Sequence, residues 1–364
     1  MASLQNVRRR IKSVKSTQQI TKAMDMVATS RMRHAKEATI ANHPFALKSQ
    51  EVFDRLAPQA EDLGHPLFEV RDNSEGKTLL IVIAADKGLA CAYSSNVLKM
   101  AHAEIDSGGN DDEEIIKIAE KENVDISKKY KDMRRRPRHQ ALQKMSRVIK
   151  AVAHSTYGNR TNSGGHRTTI THTEKSTEDF GNLSDNGNYD ILTVGRKATD
   201  HFRHRNYNVV RYYNGISERP KYHHAQDIAR FAVEHFLSGE VNEVTLIYTR
   251  FISAMTCEPR VVDLLPFFAY DRGTDDGLKG EYIYEPNAEA VLDEFLPQYL
   301  VTLIYEAMLQ SAASELSSRM NAMSSATDNA QELIGKLNLH YNKVRQAGIT
   351  NEINEIVSGA NALS

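Results

Sequence analysis

The loop Ala85-Asp86-Lys87-Gly88-Leu89-Ala90-Cys91-Ala92 follows a short apolar run and is the first place in this sequence where phosphate chemistry could reside. A dinucleotide fingerprint needs three glycines at G-x-G-x-x-G spacing, and a triphosphate cradle needs a glycine-rich loop ending in Lys and Ser or Thr. The loop has one glycine, and no Walker lysine occurs elsewhere. Neither cradle is present. His201 and His204 lie three apart on an expected helix, and His223 and His224 are adjacent, but no acid or cysteine at fixed spacing completes a metal set. Cys91 has no histidine nearby in sequence to activate it as a nucleophile. The run Arg134-Arg135-Arg136-Pro137-Arg138-His139 lacks the aromatic interleaving of a nucleic-acid surface and follows an acidic stretch, so it reads as a solvated loop. The sequence therefore predicts no catalytic, cofactor-binding or metal-ligating set.

Composition narrows the class further. The chain has 364 residues, a formal charge of -1 and 26% charged residues, which gives no global bias toward nucleic acid. Cys91 and Cys257 have no second cysteine at metal or redox spacing, which fits a reducing compartment. There is no run of 18 apolar residues, and the basic N-terminus lacks the apolar core of a signal peptide. The sequons at Asn159 and Asn182 carry no weight without a secretory signal.

What the sequence does possess is helical periodicity at both ends. From 285 to 364, Leu292, Phe295, Leu296, Leu300, Leu303, Ala307, Ala313, Leu316, Met320, Met323, Ala330, Leu333 and Leu337 recur at three- and four-residue steps. A helix of that length would be on the order of 110 Å long and needs a partner. Residues 1–58 supply one: Leu4, Val7, Ile11 and Val14 open a stripe that Ile20, Met24, Val27 and Met32 are expected to continue. Pro44 is expected to bend this helix or shift its register. Up to Lys36 there are nine Lys or Arg against a single acid, Asp25, so this helix is either a solvated basic face or one awaiting an acidic protein. Residues 311–330 are rich in Ser and Ala, a smooth surface that suits a shaft better than a fixed interface.

Between the helices, residues 77–284 alternate strand and helix patterns. The apolar run Leu79 to Ala85, then Tyr189 to Val194, Tyr207 to Tyr213 and Glu243 to Thr249 read as strands. Val97 to Ile105, Lys197 to Arg205 and His224 to Leu237 read as helices. The alternation predicts an α/β layer with a mostly parallel sheet. Roughly 107–188 holds seven of the 19 glycines and reads as a loop-rich insertion, with helical patches at 113–122 and 140–153.

Both terminal segments, IKSVKSTQQITKAMDMVATSRMRHA and ELSSRMNAMSSATDNAQELIGKLNLHYNKVRQAGITNEINEIVSGANAL, resemble the gamma subunits of F-type ATP synthases. The pieces YEPNAEAVLDEF, DKGLACAYSSN, VGRKATDHFR, IYTRFIS and LLPFF are similar to theirs in the same order. The resemblance implies an antiparallel coiled coil of the two end helices beside a Rossmann-like open α/β domain. It implies a non-catalytic rotor that couples proton-driven turning of a membrane ring to the catalytic beta subunits. The implied partners are alpha and beta subunits around the shaft, the epsilon subunit and the membrane c-ring. Arg345 and Gln346 in YNKVRQA match the pair that catches acidic beta-subunit loops. Met24 in TKAMDMV matches a position facing the beta lever, with Lys22 and Arg33 as neighbouring contacts. The stretch 266–285 is similar to the foot region. The loop that usually reads close to DRGLCGGFNSN has lost two glycines here. The insertion is absent from the ordinary bacterial pattern, lies away from the dithiol loop of photosynthetic versions and contains no cysteine, so thiol regulation is not expected. The expected place is the cytoplasmic face of a bacterial inner membrane, or the equivalent side in an organelle. The alternative reading is a static coiled-coil scaffold carrying an α/β ligand-binding domain.

Overall fold

The computed structural model describes residues 4–71, 76–107, 188–268, 284–285 and 287–363. The expected insertion lies outside the described residues apart from its end residues, as do both of its helical patches and most of the stretch 266–285.

In chain order the elements are α1 (Leu4–Asp62), a short 3-10 helix (Pro66–Phe68), β1 (Lys77–Ile83), α2 (Tyr93–Ser107), β2 (Tyr189–Val194) and α3 (Arg196–His204), then β3 (Val209–Tyr213), α4 (Tyr222–Leu237), β4 (Val241–Phe251), β5 (Cys257–Leu265) and α5 (Ala288–Leu363). The sheet order is β3-β2-β1-β4-β5. β1 is parallel to β2 and β4, β2 is parallel to β3, and β5 closes one edge antiparallel to β4. β5 escaped the sequence reading because Pro259 interrupts its apolar pattern. A proline, lacking a ladder donor, is tolerated on an edge strand.

The period-two alternation of β1 divides two cores. Leu79, Ile81 and Ile83 face α4 and the end helices, whereas Leu80 and Val82 face Val97, Leu98 and Ala101 of α2 and Phe202 of α3. The first of these cores contains the last turns of α1 (Phe53, Leu56, Ala57, Ala60) and the first turns of α5 (Leu292, Leu296, Leu300, Ile304). At the base Phe53 stacks on Tyr299 with ring centroids 4.3 Å apart, and Phe267 lies 5.2 Å from Phe53. Each such aromatic pair adds roughly 0.5–1.5 kcal/mol beyond its buried area. The end helices are thus part of the α/β core before they become a shaft.

α1 runs as one helix of 59 residues through Pro44 and Pro58. Pro44 forfeits one bond to the carbonyl of Ile40. Beside it, Asn42 donates through Nδ2 to Glu306 Oε2 at 2.6 Å, so α5 holds the weak turn in place.

Gly195 joins β2 to α3 at φ +99°, and its N–H donates to the Tyr213 carbonyl at 2.7 Å. A Cβ there would stand 2.1 Å from the Ala84 carbonyl oxygen. Gly195→Ala is therefore expected to cost about 3 kcal/mol in denaturant unfolding. Gly335→Ala, mid-helix and facing open space, is expected to stabilise by up to about 1 kcal/mol in the same measurement.

Candidate functional site

Above the α/β domain, α1 and α5 run antiparallel, as shown by the pairs Gln18–Gln331, Thr21–Thr327 and Asn42–Glu306. The less exposed positions of α1 alternate three- and four-residue steps: Leu4, Val7, Ile11, Val14, Gln18, Thr21, Asp25, Ala28, Met32, Ala35, Thr39 and Asn42. On α5 the matching series is Met320, Met323, Thr327, Ala330, Ile334, Leu337, Tyr341 and Val344. These are the inward positions of a heptad repeat.

The observed seam corrects the expected stripe. Ile20, Met24 and Val27 are not in it; they are 54%, 41% and 50% exposed, while Gln18, Thr21 and Asp25 turn inward. On α5, Ile334 rather than Leu333 is buried. Amide and hydroxyl pairs explain the swap: Gln18 Nε2 donates to Gln331 Oε1 at 2.7 Å, and the Thr21 and Thr327 hydroxyls meet at 2.8 Å. Polar inward residues fix the register at some cost in stability. Only Met32 of the continued stripe packs inward.

Of the residues singled out by resemblance, Lys22, Met24, Arg345 and Gln346 are exposed, and Arg33 is exposed while its Nε donates to Glu37 at 3.0 Å. With the observed register, Met24 lies opposite about residue 325. Arg345 is therefore roughly 30 Å further along the shaft, and the two groups form separate surfaces. Past Arg345, α5 runs on beyond the described start of α1, with Ile349, Ile353, Ile356 and Val357 48–71% exposed.

The shaft is fastened to the α/β domain by charges that the sequence reading missed. Glu218, in the loop between β3 and α4, meets Arg31 of α1, Lys87 of the loop after β1 at 3.0 Å, and Arg319 of α5 at 2.9 Å. Burial pushes the Glu218 carboxyl up, but Lys87, Arg319 and Arg31 outweigh it and hold it below its ordinary value. Four elements meet on one carboxylate, which no sequence spacing could reveal.

Asp86 locks the carboxyl end of the sheet. Its carboxylate accepts from the backbone N–H of Arg196 at 3.0 Å, Gly215 at 2.8 Å and Ser217 at 3.0 Å. Burial raises its pKa, and these donors more than reverse the effect. Arg196 opens α3, so an internal carboxylate takes the helix-terminus position where a nucleotide-binding sheet would hold a phosphate.

The small-residue run of α5 is also a correction, since in its lower half it forms a fixed interface. Ser311 Oγ accepts from the Thr249 N–H at 3.3 Å, Ser314 Oγ donates to the Thr249 carbonyl at 3.3 Å, and Ser317 Oγ donates to the Ala254 carbonyl at 2.6 Å. Short side chains let α5 approach the end of β4 closely enough to bond its backbone. Of the histidines singled out in the sequence, His201 joins a chain of hydrogen bonds. Arg205 donates to His201 Nδ1 at 3.0 Å, so His201 Nε2–H donates to His102 Nε2 at 2.8 Å, and His102 Nδ1–H donates to the Tyr207 hydroxyl at 3.3 Å. Burial, then Arg205, lowers both imidazoles, His201 to about 4. Among the described residues no group of three or more His, Cys, Asp or Glu suits a metal, and no helix is long and apolar enough to cross a membrane.

Fold and site together define a class: a two-helix shaft with a side-mounted α/β domain whose own crevice is filled from within. A family model described as ATP synthase matches residues 3–174 and 158–363. ATP synthase gamma chains from Desulforamulus reducens and Pelotomaculum thermopropionicum are 37% and 36% identical to this chain, each over 100% of both sequences. The chain belongs to the ATP synthase gamma-chain family. A gamma chain from Chlorobaculum parvum is 32% identical over 100% of this chain and 99% of its own. These end-to-end matches show that the extra length at 107–188 is shared with such relatives. A chain in the mitochondrial ATP synthase of Euglena gracilis, OSCP/F1/c-ring, has the same fold at TM-score 0.51 and 15% identity, covering 99% of this chain and 94% of that one.

Because Glu218 and Asp86 sit below their ordinary values of 4.5 and 3.8, both contribute stability above those values, and that contribution is lost as pH falls below them and through the lower folded-state values. Glu218→Gln is expected to lower the unfolding free energy at neutral pH by about 2 kcal/mol, since it leaves three cations facing one another. Glu37→Gln, which breaks only exposed pairs with Arg33 and His34, should cost less than about 0.5 kcal/mol. Thermal melts of the two variants check the contrast.

Proposed function

We propose that this chain is the central-stalk rotor of an F-type ATP synthase. It couples rotation of a membrane ring to conformational change in the catalytic beta subunits and breaks no bond itself. The observation that carries this reading is the second apolar face of the upper coil. Its seam mixes Val7, Ile11, Val14, Met323 and Ile334 with Gln18, Thr21 and Thr327, while Ile20, Met24, Val27, Leu333 and Leu339 face outward and are 41–73% exposed. A coiled coil that carries large apolar side chains on its outer face as well as in its seam is built to be surrounded.

The enclosing surface is the ring of alpha and beta subunits. The exposed tip from Ile349 to Val357 turns within its upper end. Arg345 and Gln346 form the catch for acidic beta loops, where Arg gives charge-assisted contacts. Met24, with Lys22 and Arg33, forms the lever contact about 30 Å below. The epsilon subunit and the membrane c-ring bind at the opposite end. The chain acts as a peripheral component on the cytoplasmic face of a bacterial inner membrane. Each orientation of the asymmetric shaft favours one set of beta-subunit conformations, which couples two distant sites through a difference in binding free energy. Asp86 in the anion position speaks against a scaffold that binds a nucleotide in its α/β domain.

Co-expression with alpha and beta partners tests the reading. A stable complex containing this chain is expected, with steady ATP hydrolysis that depends on it. Arg345→Ala should slow that hydrolysis by roughly tenfold, the worth of one charge-assisted contact of about 1.5 kcal/mol. A chain that remains alone beside those partners, with hydrolysis unaffected by its presence, would overturn the assignment.

A further inference from the structure

Glu315 is fully buried where α5 meets the α/β domain. Its Oε1 accepts from Arg319 Nη2 at 2.6 Å, but Oε2 has no hydrogen-bond partner among the described residues. Arg319 is not its own to keep: the same guanidinium donates to Glu218 at 2.9 Å and toward the Gly88 carbonyl at 3.4 Å. Glu218 has Arg31 and Lys87 as further cations, whereas Arg319 is the only cation against Glu315 among the described residues.

The groups facing Glu315 from neighbouring elements are Arg319 on α5 itself, Ser217 and Glu218 from the loop before α4, and Tyr93 from α2. Beyond Tyr93 lie Thr249 of β4 and Cys257 of β5, and beyond Glu218 lie Arg31 and Lys87. None of the nearest groups adds a second cation, and Glu218 adds a negative charge. Ser217 lies beside Glu315, where its hydroxyl favours the charged form, by less than Arg319 does and against the larger effect of burial. The hydroxyls of Tyr93 and Thr249 are buried beside one another and likewise lack hydrogen-bond partners among the described residues. A neutral carboxylic acid suits this chamber, because its O–H is a donor and its burial carries no ionic desolvation cost. Burial pushes the Glu315 carboxyl up to about 7, against the pull of Arg319.

We propose that Glu315 is a proton-binding site in the seam between shaft and α/β domain, a carboxylic acid that keeps its proton while the seam is closed and releases it when the seam opens to water. No bond other than O–H is involved, and the proton passes to solvent. Closing the seam is then linked to proton uptake. The sign follows from the raised value: closure is strongest below the open-state value of 4.5 and weakens as pH rises toward 7, above which it levels off. Glu218 and Asp86 titrate below their ordinary acid values, and the lowered histidines His102 and His201 lie on α2 and α3 away from Glu315, so among the groups that face it the interval from about pH 5 to about pH 7 belongs to Glu315. This inference does not rest on the rotor reading.

The test uses the assembled complex, wild type and Glu315→Gln, which keeps the shape and removes the titration. Amide protection factors at 311–321 and 214–219 in the wild type should fall by up to about tenfold per unit from about pH 5 to about pH 7 and then flatten. In Glu315→Gln they should show no such slope. Isotope-edited infrared spectra of the wild type alone should show the carbonyl band of a protonated, buried carboxylic acid at pH 6, and its loss at pH 8.5, well above the midpoint. The proposal is overturned by protection that is flat or rises with pH in the wild type, by a slope that survives Glu315→Gln, or by the absence of the acid band at pH 6.

Discussion

The structure depends on one helix serving two partners. α5 is a single run of 76 residues whose lower half is a wall of the α/β core and whose upper half is one strand of the coiled coil. Leu296, Leu300 and Ile304 pack among the sheet residues, Ser311 to Ser317 bond the backbone at the end of β4, and from Met320 upward the inward residues meet α1. Because no loop intervenes, turning the upper half relative to the α/β domain would require breaking a continuous hydrogen-bond ladder. Rigidity here is a consequence of covalent and helical continuity, with Glu218 adding a charged tie from the domain to both helices.

The same economy explains the composition of the coil. A shaft with an apolar seam and a polar exterior would be stable alone and indifferent to its surroundings. This one sets Gln18, Thr21 and Thr327 among the apolar residues of its seam and places Met24, Val27 and Leu339 outside. It gives up some packing within the pair in exchange for register, through the Gln18–Gln331 and Thr21–Thr327 bonds, and keeps its apolar surface for what encloses it. The carboxyl end of the sheet is correspondingly occupied by the chain itself. Asp86 accepts the backbone donors that a phosphate would otherwise take, and α5 covers the end of β4.

Much of the fold is legible in the sequence because it rests on local periodicity. The apolar runs of β1 and β2, and the three- and four-residue steps of the end helices, announce themselves. What was not legible depends on contacts between distant segments. Ile20, Met24 and Val27 satisfy helical spacing as well as Gln18, Thr21 and Asp25 do, and hydrophobicity favours the wrong set, because an isolated helix pattern cannot say which face a missing partner covers. β5 is hidden by Pro259, harmless only because the strand is at an edge. Glu218, Arg31 and Arg319 are ordinary surface residue types until three elements bring them together. The serines of α5 signal close approach, but only the position of β4 shows what approaches. The candidate contact residues Lys22, Met24, Arg33, Arg345 and Gln346 owe their selection to resemblance, and the structure adds their exposure and their division into two levels.

The central claim is that shaft and α/β domain turn as one body inside an enclosing ring. The measurement that addresses it most directly is rotation of a probe fixed to the α/β domain, in single complexes immobilised through the beta subunits and supplied with ATP. The account predicts unidirectional stepping of the probe in time with hydrolysis. Sustained hydrolysis with a stationary probe would contradict it.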